Sequence, residues 1–241
     1  MRNMRACAIA FVLLLTPVLL RGQALTPEAL AKPGPDVWPT YNGDYSGQRH
    51  SPLKQINEQT VGKLALAWSR ELGTTRGLEA TPLIEDGVIY TTGAWSVVYA
   101  VDAKSGDIRW TYDSKVPREN ALFICCDVVN RGVALYQGKV YVGTLDGRLI
   151  ALDEHTGAPV WTAATTNNAK QYSITGAPRI AKGLVIIGNA GAENGVRGYI
   201  SAYEAEKCGE TSLTRNFEAF SRSGSTQEKS SSIKGFRTIL L

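Results

Sequence analysis

The 241 residues are 44% hydrophobic and 20% charged, with 24 Gly, 10 Pro, five Trp and ten Tyr. This excludes disordered, collagen-like and disulfide-dense chains and fits a globular chain with one substantial core. The net charge of +4 sits at the two ends: residues 1–24 and 207–241 carry +3 each, leaving −2 for 25–206 with no Lys/Arg cluster among aromatics, so nucleic acid is not an expected partner.

Arg2 and Arg5 precede an uncharged apolar run, Ala6–Leu20, and Gly22-Gln23-Ala24 offers small residues where a signal peptidase needs them. Residues 1–24 therefore read as a secretory signal cleaved after Ala24. A transmembrane anchor is the rival reading, but the run falls short of the roughly 20 residues that span a bilayer, and no membrane span is expected after cleavage. The exported chain is expected in the periplasm, where thiols can oxidise. Cys7 leaves with the signal, and Cys125, Cys126 and Cys208 remain.

Thr26 and Pro27 open a possible short helix as cap and first helical residue, followed by a Pro- and Tyr-rich entry segment from Trp38 to Gly47. From there the sequence repeats. Thr81–Trp110 and Gly132–Trp161 align so that Tyr90/Tyr141, Asp102/Asp153, Gly106/Gly157 and Trp110/Trp161 are all 51 residues apart. Each unit holds short β-branched and aromatic runs separated by turns at Glu85-Asp86-Gly87 and at Lys104-Ser105-Gly106 or His155-Thr156-Gly157. Four short strands per unit with a period near fifty predict an all-β fold, a β-propeller of four-stranded blades. A β-helix would repeat at a shorter interval, and a helical solenoid would show a 3.6-residue period.

A third unit starts at Gly176 and carries a longer loop, Asn189–Gly198, between its middle strands. Then the pattern fails: Cys208 stands where Gly157 predicts a glycine, and Ser212 where Trp161 predicts a tryptophan. A natural solvated extension competes with a chain whose reading frame changes near residue 206. A break before a blade's fourth strand leaves an edge unpaired, which favours the second. The expected divisions are a signal at 1–24, a partial propeller at 25–206 and an aberrant or disordered tail at 207–241.

Conventional motifs are missing: no GxGxxG, P-loop, GxSxG, HExxH or CxxCH. His50 and His155 lie in turn-like contexts and read as solvated. Three features stand out. Cys125 and Cys126 are adjacent in the linker between two repeats; a bond between neighbours closes a strained ring of the kind found beside ligands, and two buried free thiols are the equal alternative. Glu193 lies on the Gly-rich inserted loop, as an oxygen ligand for a hard cation or as part of a plain solvated turn. Glu79 and Arg131 fall near the entrances of first strands, which face the channel of a propeller, and read equally as surface charges.

The segments WPTYNGDYSGQRHSPL, AWSVVYAVDAKSGDIRW, VPRENALFICCDVVNRG and GNAGAENGVRGY closely resemble the N-terminal part of pyrroloquinoline-quinone (PQQ)-dependent alcohol dehydrogenases, quinoprotein relatives of methanol dehydrogenase, over roughly residues 36–206. The resemblance implies about three blades of an eight-bladed propeller with PQQ on its axis. It implies that Cys125 and Cys126 form a vicinal disulfide over one face of PQQ. Glu79, Arg131 and Thr175 would bond the cofactor's polar edge, and Gly191 and Ala192 would place N–H groups near one of its carboxylates. Glu193 would ligate Ca²⁺ or a lanthanide. Ala190 departs from the serine common in the family, which puts one hydroxyl contact in doubt.

By the same resemblance, the activity is oxidation of an alcohol substrate by hydride transfer to metal-polarised PQQ, with electrons leaving to a cytochrome c-type acceptor. The family's catalytic Asp comes from later blades, so no catalytic residue is expected within this chain. A polypeptide of these residues alone is expected to have open edges, little stable fold and no alcohol turnover; turnover by the 241-residue polypeptide with PQQ and metal would overturn this. A non-enzymatic quinoprotein-like propeller scaffold or binding module of the bacterial envelope is the alternative. Such a scaffold has no reason to keep Cys125-Cys126 together with Glu193.

Overall fold

Three tight turns of one type set the pattern of the sheets. At Asp86-Gly87, Gln137-Gly138 and Lys182-Gly183 both residues take left-handed φ, between 47° and 74°, the conformation of a hairpin turn whose twist matches its strands. The computed structural model describes residues 24–124, 126–166 and 171–206 and the backbone of 217–218. The expected signal, Cys125, Cys208 and most of the expected tail lie outside the described residues.

The first turn joins β1 (Leu83–Glu85) to β2 (Val88–Thr92), and β3 (Val98–Asp102) and β4 (Ile108–Tyr112) complete an antiparallel sheet in the order β1-β2-β3-β4. The second unit repeats it with β5 (Ala134–Tyr136), β6 (Lys139–Gly143), β7 (Arg148–Asp153) and β8 (Pro159–Ala164). Tyr90 pairs with Ala100 and Tyr141 with Ala151, and the last strand of each slips register at the same place, Ala100/Val101 and Ala151/Leu152. The 51-residue period is thus a period in space, and the expected four-stranded blades of a β-propeller are present.

The third sheet holds β9 (Arg179–Ala181), β10 (Leu184–Gly188) and β11 (Tyr199–Glu204). Its outer place is taken by β12 (Phe217–Glu218), which pairs with Tyr199 and Ile200. This strand lies inside 207–241, so the blade edge that sequence periodicity leaves bare is partly paired. The Gly and Trp landmarks that announce a fourth strand elsewhere are missing here, which is why the sequence hides it.

The turn before each fourth strand is built by an aspartate. Asp102 Oδ1 accepts the N–H groups of Lys104 and Ser105, and Asp153 Oδ1 those of His155 and Thr156, an Asx turn closed by a left-handed glycine. The Arg109 guanidinium and these N–H groups hold the Asp102 carboxyl down at about 2. His155 is exposed in its turn, as is His50.

Neighbouring units are joined by tryptophan. Trp110 donates its indole N–H to the Glu154 carbonyl at 2.9 Å, and Trp161 to that of Ala205 at 3.4 Å. Trp68, ahead of the first sheet, makes the same bond to Ala103 at 3.1 Å. A Cβ on Gly157 would lie 2.6 Å from the Trp110 ring, and one on Gly106 2.5 Å from the Trp68 ring. Only glycine lets the indole lie flat on the turn. The Trp68 link escapes the repeat analysis because it stands 42 residues, rather than 51, before Trp110.

One hydrophobic core runs through all three sheets, from Leu83, Tyr90 and Val98 through Leu135, Tyr141 and Ile150 to Val185, Ile187 and Tyr203. Thr26 accepts the Ala29 N–H and caps a short helix, α1 (Pro27–Ala31), whose Leu30 is buried in that core. Among the described residues no helix is long and apolar enough to cross a membrane.

Candidate cofactor site

The segments leading into the inner strands of the three sheets meet at one point. Glu79 stands four residues before β1, Arg131 three before β5 and Thr175 four before β9. Arg131 joins them: Nη2 lies 2.9 Å from Glu79 Oε2, Nη1 donates to Thr175 Oγ1 at 2.8 Å, and its backbone N–H donates to the Thr175 carbonyl at 2.9 Å. The side chains of Arg131 and Glu79 are 42% and 43% exposed, which leaves polar atoms of both open to a ligand.

A buried amide holds Arg131 in place. Asn130 is 1% exposed; its Nδ2 donates to Ser96 Oγ at 3.0 Å and to the Gly143 carbonyl at 2.7 Å. Its Oδ1 accepts the Gly132 N–H at 3.0 Å and the Thr92 hydroxyl at 3.1 Å. Ser96 and its neighbour Trp95 take left-handed φ of 57° and 63°, and the Trp95 N–H donates to the Val128 carbonyl. The Arg118 guanidinium stacks 4.0 Å from the Trp95 ring centroid, a cation–π contact. Sequence reasoning missed Asn130. Its one signal is a polar amide directly after the apolar pair Val128-Val129, in a stretch leading into a strand.

The inserted loop of the third sheet forms the neighbouring wall. β10 and β11 pair Ile186 with Ala202, a separation six residues wider than that of Tyr141 and Ala151. The extra residues form a 3₁₀ turn, Ala192–Asn194, entered by Gly191 at φ 115°. Ala190 exchanges backbone hydrogen bonds with Ser173, two residues from Thr175, so the loop is pinned to the strand entrance that Arg131 grips. The Ser173 hydroxyl is buried without a hydrogen-bond partner among the described residues.

Asn194 Nδ2 donates to the Phe123 carbonyl at 2.9 Å. That bond ties the Glu193 loop to the 3₁₀ segment Arg118–Phe123, which runs directly into the cysteine pair. Cys126 is exposed, next to Asp127, whose carboxylate meets Arg76 at 2.6 Å. Glu79, Arg131 and Thr175 thus form one bonded chain, while Gly191, Ala192 and Glu193 lie on a loop fastened both to that chain and to the cysteine segment. Cys125 lies outside the described residues. No group of three His, Cys, Asp or Glu that could hold a metal occurs among the described residues, so Glu193 is a single acidic ligand candidate rather than a complete site.

The β-propeller domain of glucose, ethanol and alcohol dehydrogenases of the PQQ class matches residues 38–231. The chain belongs to this PQQ dehydrogenase propeller family. It is 61% identical over 169 residues to quinohemoprotein alcohol dehydrogenase ADH IIB of Pseudomonas putida, covering 70% of this chain and 24% of that protein. It is 56% identical over 168 residues to 1-butanol dehydrogenase (cytochrome c) of Thauera butanivorans, covering 69% and 24%. The solved structure of quinohemoprotein alcohol dehydrogenase ADHIIG from Pseudomonas putida HK5 superposes with a TM-score of 0.75 at 52% identity, over 77% of this chain and 28% of that one. The chain spans about a quarter of the length of the curated relatives it matches. The PQQ propeller match runs past residue 206, through the paired strand β12.

In this PQQ propeller, Gly191 is the most constrained point of the Glu193 loop. A Cβ there would lie 2.5 Å from the Gln171 carbonyl oxygen and 2.7 Å from a Val196 methyl. Gly191→Ala is expected to cost about 2–3 kcal/mol, from left-handed strain together with a backbone collision, and to loosen Glu193. Denaturant unfolding measures the cost; a change below about 0.5 kcal/mol would show that the loop shifts freely.

Proposed function

We propose that this chain forms the cofactor-holding part of a PQQ-dependent alcohol dehydrogenase, and that the whole protein oxidises alcohols in the periplasm. The observation that carries this reading is the Arg131 chain: one guanidinium, set at the meeting of three blades, is bonded to Glu79 and Thr175 and still half open. PQQ carries three carboxylates and two quinone carbonyls. A fixed guanidinium with a hydroxyl and a carboxylate beside it suits such an edge, since Arg meets planar oxygen pairs with two parallel hydrogen bonds.

The remaining roles follow from position. Gly191, with no room for a Cβ, lets the backbone of Gly191 and Ala192 approach a cofactor carboxylate. Cys125 and Cys126, adjacent in the chain, would be bonded to each other as the rigid wall over one face of the ring, as the family resemblance implies. Glu193 contributes one oxygen to a Ca²⁺ or lanthanide ion. When bound, PQQ supplies the two-electron sink for the alcohol's hydride, with the metal as Lewis acid. A cytochrome c-type acceptor is the electron partner, in keeping with the cytochrome c named for the Thauera relative.

The test is a titration of PQQ into the whole protein with Ca²⁺ present, followed by quenching of tryptophan fluorescence. Saturable 1:1 binding is expected, weakened at least about tenfold in Arg131→Ala, the loss of one or more charge-assisted hydrogen bonds. Equal binding by wild type and Arg131→Ala refutes the placement. Glu193→Gln is expected to leave PQQ binding without metal unchanged and to abolish the increase that Ca²⁺ brings.

A further inference from the structure

Two turns beside the cofactor site have little packing of their own. The 3₁₀ segment Arg118–Phe123, which leads into the cysteine pair, buries none of its six residues, and its Leu122 is 80% exposed. The 3₁₀ turn Ala192–Asn194, which carries Glu193, buries none of its three. A turn without buried side chains is placed by discrete bonds and opens locally at small cost.

The Glu193 turn lies between two left-handed glycines that differ in their surroundings. At Gly191 a Cβ would lie 2.5 Å from the Gln171 carbonyl oxygen, whereas at Gly195, with φ 72°, nothing stands within 4 Å. The turn is thus fixed where it begins and loose where it ends. The Asn194 N–H donates to the Gly191 carbonyl at 2.9 Å, and the Gly195 N–H to that of Ala192 at 3.0 Å. These bonds shape the turn but do not aim it. Among the described residues, the one side-chain hydrogen bond from this turn to another segment is that of Asn194 Nδ2 to the Phe123 carbonyl, at 2.9 Å between residues 71 apart. At its other end the Phe123 segment is held by Arg118, whose guanidinium stacks 4.0 Å from the Trp95 ring centroid. Between these ties, Ala121 and the following Ile124 are partly buried against the small cluster of Ala94, Val116, Val128 and Leu145.

We propose that Asn194 is a positioning residue for the metal side of the cofactor site: its amide latches the Glu193 turn to the cysteine segment, so that the acid and that segment keep one arrangement. The inference rests on the cofactor reading above. Glu193 is exposed and directly precedes Asn194, so holding the amide limits where the neighbouring carboxylate can stand. A neutral amide suits the task, because it donates to a carbonyl oxygen without adding a second negative charge beside Glu193. The latch also works in both directions. A cation that steadies Glu193 steadies Arg118–Phe123, and order in that segment favours the cation by the same factor.

Asn194→Leu removes the donor and nearly keeps the side-chain volume. The whole protein and this variant, each with PQQ bound, are compared by amide hydrogen exchange with and without Ca²⁺, and by the rate at which a chelator strips Ca²⁺. Exchange across residues 118–124 and 192–196 is expected to be about three- to tenfold faster in the variant, the worth of one hydrogen bond, with the blade strands unchanged. Added Ca²⁺ is expected to slow exchange across 118–124 in the wild type and not in the variant, and the chelator to strip the variant at least about fivefold faster. Equal exchange across 118–124 in the two proteins overturns the latch. Faster exchange with equal Ca²⁺ loss overturns its role in placing Glu193. A wild-type protein in which Ca²⁺ changes nothing overturns instead the metal reading beneath the inference, since exchange without metal still reports on the latch.

Discussion

Replacing Asn130 by Ala is expected to destabilise the protein by about 3–5 kcal/mol, because it strips a fully buried hydrogen-bond hub rather than a single contact. The amide side chain serves Ser96, Gly143, Gly132 and Thr92 at once. Alanine leaves the Gly143 carbonyl and the Gly132 N–H buried without those partners. Each such orphan costs about 1–3 kcal/mol. The same change frees the backbone next to Arg131, so weaker PQQ binding is expected to accompany the lost stability. Asn130→Asp keeps both bonds accepted by Oδ1 and loses both donated by Nδ2, and should fall between wild type and Asn130→Ala. Urea unfolding of the three proteins measures the order; an Asn130→Ala cost below about 1 kcal/mol would show that water replaces the amide.

Gly157→Ala is the second large effect expected, at about 2–4 kcal/mol, the sum of a left-handed residue with a Cβ and an overpacked indole contact. Gly157 has φ 71° and would place its Cβ against the Trp110 ring. The measurement separates the two causes through a control. Gly138 has nearly the same φ, 70°, with nothing within 4 Å of its Cβ. Gly138→Ala should therefore cost only about 1–2 kcal/mol, the conformational part alone. A shift of tryptophan emission is expected for Gly157→Ala and not for Gly138→Ala. Equal costs at the two positions would remove the indole contact from the account of how blades are joined.

Much of the blade was legible because its landmarks are chemical necessities of single positions. The Asp of each Asx turn, the left-handed Gly and the docking Trp recur every 51 residues in the first two units, since each is the residue that its turn or contact accepts. The period weakens where a contact is made differently. Trp68 joins the first blade from outside any repeat, and β12 fills an edge with neither the glycine nor the tryptophan that marks its counterparts. Among site residues, Cys125-Cys126 and the Gly-rich loop with Glu193 stood out as unusual local patterns. Glu79, Arg131 and Thr175 did not: each is an ordinary polar residue a few positions before a short strand, and a resemblance to relatives was needed to single them out.

The sequence by itself determined the all-β class, the four-strand unit, the positions of the turns and the family, because these depend on residue type at fixed local spacing. Only the tertiary structure decided what those residues do together. It set Arg131 between Glu79, 52 residues before it, and Thr175, 44 after it. It gave Asn130 its place as a buried hub between Thr92, Ser96, Gly132 and Gly143. Such meetings depend on how successive blades rotate about a shared axis and on which strand ends face the same side. That geometry comes from the packing of whole sheets, and no local pattern in the chain encodes it.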